Sequence, residues 1–241
     1  MFQPHPSSIL TEHFRKKPHQ GADPRNARFL FVGLDANYAA DVESSPIFPS
    51  LIEYHEDGPR FWRSKGVHHP FLLPQYKGDG RRYHRTFAKI GFQPSHADLV
   101  SFVELLDRPT VGRSALVARD LDPLHLSHLY RVIFNGAAQF IFLSAGVQRL
   151  LLASGMFPQI AAVRCHHGTL RVLYEDGDRA VFLHLHFSNY GKFEMQLQAE
   201  AKNIIALLPV VRDAHCDRFK TFVSDSAGTK PLFHSGGGAK S

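Results

Sequence analysis

The chain has 241 residues, 44% of them hydrophobic, which suits one globular domain of α/β size with appended ends. No apolar run approaches the roughly 18 residues a membrane span needs. Two cysteines, Cys165 and Cys216, supply neither a disulfide framework nor the four ligands of an iron–sulfur cluster. The balance is basic, 28 Lys and Arg against 22 Asp and Glu with 16 histidines, a charge that favours polyanionic partners without requiring one.

Residues 1–26 are polar and interrupted by Pro4, Pro6, Pro18 and Pro24. They read as an N-terminal arm in which Ser8 caps a short helix, "ILTEHFRKK". The first ten residues hold two prolines and no apolar core, so a reducing, cytoplasmic location is expected rather than secretion. The first strand is Arg28 to Gly33. Residues 36–80 are rich in proline, glycine and aromatics, with turn signals at "DGP" and "KGDG". They read as a long connection with little regular pattern, of a length that is usually functional or mobile.

"RRYHRTFAKIG", 81–91, has helical spacing at Tyr83, Phe87 and Ile90 and ends on a glycine. "HADLVSF", 96–102, is a candidate second strand. Residues 114–136 predict a helix in two pieces around Pro123. "AQFIFLSAG", 138–146, is a buried strand running into a glycine turn, and "VQRLLLASG" a short helix. Residues 161–188 offer strands around an "EDGD" turn, and a helix is expected from about Lys192 to Leu208. From residue 211 the chain contains "SGGG" and few apolar residues and reads as a C-terminal tail. Strands alternating with helices argue for an α/β sandwich with a largely parallel sheet.

In open sheets of that kind ligands sit outside the carboxyl ends of the strands. Two such ends carry the most chemistry. One is Gly33–Leu34–Asp35–Ala36–Asn37–Tyr38. The other is "FLHLHFSNYGKF", where His186, Phe187, Ser188, Asn189 and Tyr190 follow the strand. Between them, in order, lie "PRFW" (59–62), "ADLV" (97–100) and "DRPTVG" (107–112).

This ordered set resembles the uracil-DNA glycosylase superfamily, and most of all its mismatch-specific uracil/thymine branches, over residues 28–208. That superfamily has a glycine–any–aspartate/asparagine–proline motif after its first strand and a histidine–proline–serine motif after its last. Here Ala36 and Phe187 stand at the two proline positions, and "SFVELLD" separates "ADLV" from "RPTVG". The resemblance implies a three-layer α/β/α sandwich around a small, mainly parallel four-stranded sheet, formed by residues 27–210. It also implies a DNA glycosylase of base excision repair that flips a deaminated base, uracil or hypoxanthine, out of DNA and hydrolyses its N-glycosidic bond. The expected partner is DNA containing damaged bases, bound by a monomer with no membrane association. No metal or other cofactor is expected.

Breaking a base–sugar bond builds positive charge on the sugar and negative charge on the base. A carboxylate beside the sugar stabilises the first and orients water. The resemblance assigns this role to Asp35, although an aspartate there also serves as a turn residue. It assigns to His186 the hydrogen bond to the departing base; the plainer role is a histidine bonded to backbone. Asn37 and Tyr38 adjoin the pocket by sequence. Phe48, thirteen residues after Asp35, matches the spacing of a stacking aromatic. Ser188, Asn189, Tyr190 and Lys192 fall on the DNA side, with Tyr190 filling the gap left by the base and Lys192 meeting a phosphate.

Two other readings stand beside this one. A non-catalytic nucleic-acid-binding relative would keep the fold and lose turnover. A metal-dependent hydrolase would use Asp35 with the pairs His68–His69, His166–His167 and His184/His186; the last pair shares one strand face. Finally, "RRYHR" (81–85) with Lys77 is a basic aromatic cluster, either a track for a DNA backbone or a solvated helix face.

Overall fold

The structure, a computed structural model, describes residues 2–112 and 115–208. The tail expected at 211–241 lies outside the described residues. Seven strands form the main sheet: β1 (His19–Gly21), β2 (Phe29–Gly33), β3 (Val100–Glu104), β4 (Phe140–Ser144), β5 (Cys165–His167), β6 (Leu170–Asp176) and β7 (Arg179–His184). They lie in the order β1-β3-β2-β4-β7-β6-β5. The neighbours β3, β2, β4 and β7 are parallel. β1 is antiparallel on one edge, and β6 and β5 extend the other edge antiparallel.

The sheet is therefore seven-stranded and mixed, which corrects the expected small four-stranded one. The physical reason is short strands and a tight turn. "HQG" and "CHH" are three residues each, too short to show a period of two. β6 reaches β7 through the two-residue turn Gly177–Asp178, with Gly177 at φ 55°, so it pairs antiparallel instead of crossing over.

β2 is apolar on both faces because both faces are covered. Leu30 and Val32 join Ile141, Leu143, Val181 and Leu183 in an aliphatic core under α5 (Pro123–Asn135) and α6 (Ala145–Ala153). Phe29 and Phe31 join Phe102, Phe142 and Phe182 in an aromatic core on the other face. Phe31 stacks on Phe142 at 4.7 Å, and Phe142 on Phe182 at 5.3 Å. The layer over this face is α4 (Arg81–Ala88) and α7 (Glu194–Ile205), with Trp62 from α3 (Gly58–Lys65). Each buried phenylalanine contributes roughly 1.5–3 kcal/mol by removal from water. Pro123 stands at the first turn of α5, where its missing N–H costs nothing, and Asp122 caps that helix through His125 N at 2.8 Å.

Residues 1–26, read from the sequence as an arm, contribute α1 (Ser8–Lys16) and the edge strand β1. Ser7, not Ser8, caps α1, accepting from Leu10 N at 3.1 Å. Residues 36–80 also depart from the irregular connection expected. They hold α3 and α2 (Phe48–Glu56), each with a proline in its first turn. The prolines that read as breakers are helix starters. Leu10 and Phe14 of α1 pack with Tyr38, Ile47, Leu51 and Phe71 into a third core cluster. Among the described residues, no helix is long and apolar enough to cross a membrane.

Candidate active site

The chain leaves β2 toward β3 on one side and returns as β4 on the other, so the carboxyl end of β2 is the switch point of the parallel block. Asp35 stands two residues beyond it, half-buried. The loop that carries it is held by a second, three-stranded ladder in which Asn37–Tyr38 pair parallel with Thr110–Val111 and Gln3–Pro4 pair antiparallel with Val111 and Thr110. Thr110 N donates to Ala36 O at 2.9 Å. The Thr110 hydroxyl donates to Asp35 Oδ2 and accepts from Asn37 Nδ2 at 3.1 Å. Thus "DRPTVG", which the sequence placed only in order, is the strap that fixes the carboxylate.

Asn37 Nδ2 also donates to Gly112 O, so this amide ties the loop to the strap. The Tyr38 ring is buried, its hydroxyl accepting from Gln20 Nε2 at 2.8 Å; burial raises its pKa. Phe48, at the start of α2, packs half-buried against the cluster containing Ala36 and Tyr38. The structure therefore draws Tyr38 and Phe48 into the third core and uses Asn37 to close the loop.

His186 lies two residues past β7. Its Nδ1 accepts from Ser188 N at 3.2 Å, and its carbonyl accepts from Asn189 N at 2.9 Å. With Nδ1 an acceptor, the proton of the neutral ring is on Nε2. Burial lowers the His186 pKa, and the nearby Asp35 charge pulls the other way. Two strand ends far apart in sequence thus lie close enough for one to feel the other's charge. The next residue, Phe187, is 3% exposed and sits 6.0 Å from Phe31 and 5.4 Å from Tyr83, ring to ring. It anchors the turn by packing, where the family pattern has proline. Tyr83 of α4 faces the same place, its ring 5.4 Å from His186.

A third strand end contributes a residue that sequence reasoning missed. Glu104 ends β3 opposite Gly33. Gly33 has no side chain, and its space is taken by the Glu104 carboxyl: a Cβ at Gly33 would lie 2.0 Å from Glu104 Oε2. The residue keeps some exposed surface, but burial of the carboxyl, reinforced by the Asp35 charge, pushes it up to about 8. The available signal was a lone acid at the end of an apolar strand, level with the end of β2.

The turn after His186 leads outward. Ser188 is exposed and engaged through its backbone N–H. Asn189 and Tyr190 line a cleft of about 510 Å³ with Lys77, Arg81, Arg82, Arg85 and Lys89 on one side and Glu194 on the other. Tyr190 is 70% exposed, with the Arg82 guanidinium 4.5 Å from its ring centre. Lys89 pairs with Glu194 at 3.3 Å. The Lys192 ammonium rests 5.2 Å from the Phe193 ring.

The histidine pairs separate. His68 and His69 are buried and meet His84; the His69 and His84 rings stack at 3.6 Å, and His68 Nε2 is 3.2 Å from His84 Nδ1. His166 and His167 lie on the outer strand β5. His184 is buried within β7. Among the described residues, no group of three or more His, Cys, Asp or Glu side chains is arranged to hold a metal ion. Comparison of the chain with protein-family models and with curated proteins gave no match.

Proposed function

We propose that the protein is a DNA glycosylase that hydrolyses the N-glycosidic bond of a deaminated base. The observation that carries this reading is the placing of Asp35 by Thr110 at the switch point of the parallel block, with His186, whose Nε2 bears the ring proton, close enough to feel its charge. The two groups suit the two charges of the bond-breaking transition state. Asp35, held by Thr110, stabilises the developing sugar cation and orients water against it. His186, kept neutral by burial, offers Nε2–H to an oxygen of the departing base without giving up a full proton.

The cleft beside the site supports a polyanion as substrate. Five cationic side chains, Lys77, Arg81, Arg82, Arg85 and Lys89, line it against two acids, Asp79 and Glu194. Tyr190 presents an exposed aromatic face at its edge, suited to stacking on a base or filling the space a flipped base leaves. The test is incubation of uracil-, hypoxanthine- and xanthine-containing oligonucleotides with the protein, without metal, followed by alkaline cleavage. Scission at the modified base is expected, and none with any base, single- or double-stranded, overturns the reading.

One observation favours a second reading, a nucleic-acid-binding relative without turnover. Tyr38 and Phe48, the aromatics expected to receive a flipped base, are packed into the third core. On that reading the cleft still binds DNA in a salt-dependent way, no base is released, and Asp35→Asn behaves as the parent.

A further inference from the structure

We propose that Glu104 is the general acid of this site, protonating a ring nitrogen of the departing base while Asp35 acts beside the sugar. The inference rests on the glycosylase reading and narrows its substrate to a purine, such as hypoxanthine, whose ring carries a basic nitrogen. A pyrimidine dione such as uracil has none.

The geometry supplies the reason. Glu104 and Asp35 project from the ends of adjacent parallel strands, and Gly33 leaves the gap into which the Glu104 carboxyl folds. Thr110 holds Asp35 in place by donating to it. Glu104 receives no such donor among the described hydrogen bonds to its side chain. The groups that sense its charge are Asp35 beyond β2, Tyr83 on α4, Tyr54 on α2 and Tyr38; from α5, His125 Nε2 bonds only its backbone carbonyl, at 2.8 Å. Among the described residues, no cation is one of them. A carboxyl kept protonated by burial, next to a second carboxyl held in place as a hydrogen-bond acceptor, suits a division of work between acid and carboxylate.

The step balances as a hydrolysis. The Glu104 proton passes to N7 or N3 of the purine. The C1′–N9 bond breaks and its electron pair goes to N9, so the base leaves neutral. Water adds its oxygen to C1′ and gives its proton to Asp35, and solvent exchange returns one proton to Glu104. One water is consumed, and a free base and an abasic sugar are formed.

The experiment is single-turnover excision of hypoxanthine and of uracil from oligonucleotides by the full chain, followed from mildly acidic pH to well above the Glu104 titration near about 8. Parent and Glu104→Gln are compared. Gly33→Ala is a second variant, displacing the carboxyl without altering it. For the parent, hypoxanthine excision should fall tenfold per pH unit on the alkaline side. Glu104→Gln should excise hypoxanthine roughly 10²- to 10⁴-fold more slowly and lose that alkaline limb, Gly33→Ala should also be slow, and uracil excision should change far less. Glu104→Gln acting at the parental rate with the parental limb overturns the acid and leaves the glycosylase reading standing. Equal losses on both bases overturn it as well, since a merely structural residue behaves so. No excision of either base by the parent overturns the glycosylase reading and the acid together.

Discussion

Two polar regions meet on α4, and they use the same kinds of side chain to opposite ends. Tyr83 faces the strand-end site of Asp35, Glu104 and His186. Its neighbour His84 faces the stack with His68 and His69. In the stack the histidines meet one another and aromatic rings, Trp62, Phe87 and Phe102 around His68 and Tyr54 against His69, and His69 Nδ1 accepts from Phe71 N at 3.1 Å. Burial holds all three well below the usual histidine range, His68 near about 3. In the site, burial raises the Glu104 carboxyl and lowers the His186 ring, so the shifts run in opposite directions. A buried polar cluster becomes a candidate for chemistry when its members are pushed apart in pKa. The stack is pushed in one direction only, which makes it a packing element.

The largest effect expected is on chemistry. Asp35→Asn keeps the shape and removes the charge, and should slow base excision by roughly 10²- to 10⁴-fold, measured by single-turnover cleavage with saturating protein. His68→Phe should leave that rate within about twofold, since its ring already packs among aromatics. A comparable loss from both would erase the distinction drawn between the regions.

Stability against pH separates them next. The stack histidines bind fewer protons when folded than when unfolded, so their stabilising effect is full above the ordinary value of 6.5 and is lost as pH falls toward their folded values. Acidification through that ordinary value therefore destabilises the folded protein, and all three histidines act in the same direction. Glu104 slopes the other way. Its protonated form is favoured by folding, so its contribution is full below 4.5 and is lost as pH rises through about 8. Urea midpoints across pH should show both limbs. His68→Phe should remove part of the acid loss, at a neutral-pH cost of about 1 kcal/mol for the His84 hydrogen bond. Glu104→Gln should flatten the alkaline limb alone.

How far the sequence was readable follows from how local each signal is. β2 and α4 were legible because an apolar run and a 3.6-residue period lie within a few positions. Asp35 and His186 stood out because each follows an apolar strand directly. Glu104 did not, because its meaning depends on the absence of a side chain at Gly33, on a neighbouring strand. Tyr38 and Phe48 looked like pocket residues because the short helix expected in the N-terminal arm gave no sign of where it packs, and Leu10 and Phe14 of that helix join the Tyr38 cluster. The helices of 36–80 were missed because proline serves equally as breaker and as first-turn residue; only the caps decide, as Asp57 does for α3 through Arg60 N at 2.9 Å.

The smallest effect concerns the outer edge of the site, where the comparison is sharpest in salt dependence. Tyr190 and Arg82 stack on each other at the mouth of the basic cleft, away from the enclosed histidines. Tyr190→Ala should weaken binding of single-stranded DNA by about 1–3 kcal/mol through lost stacking, with little change in the salt slope. Arg85→Ala should reduce the slope of log K against log salt by about 0.7, the signature of one lost phosphate contact on a single strand. Fluorescence anisotropy over a salt series reads both. If instead Arg85→Ala leaves the slope unchanged, the cleft is a solvated helix face and DNA approaches the strand ends by another route. His68→Phe should alter neither affinity nor slope, because the stack contributes no group to the cleft.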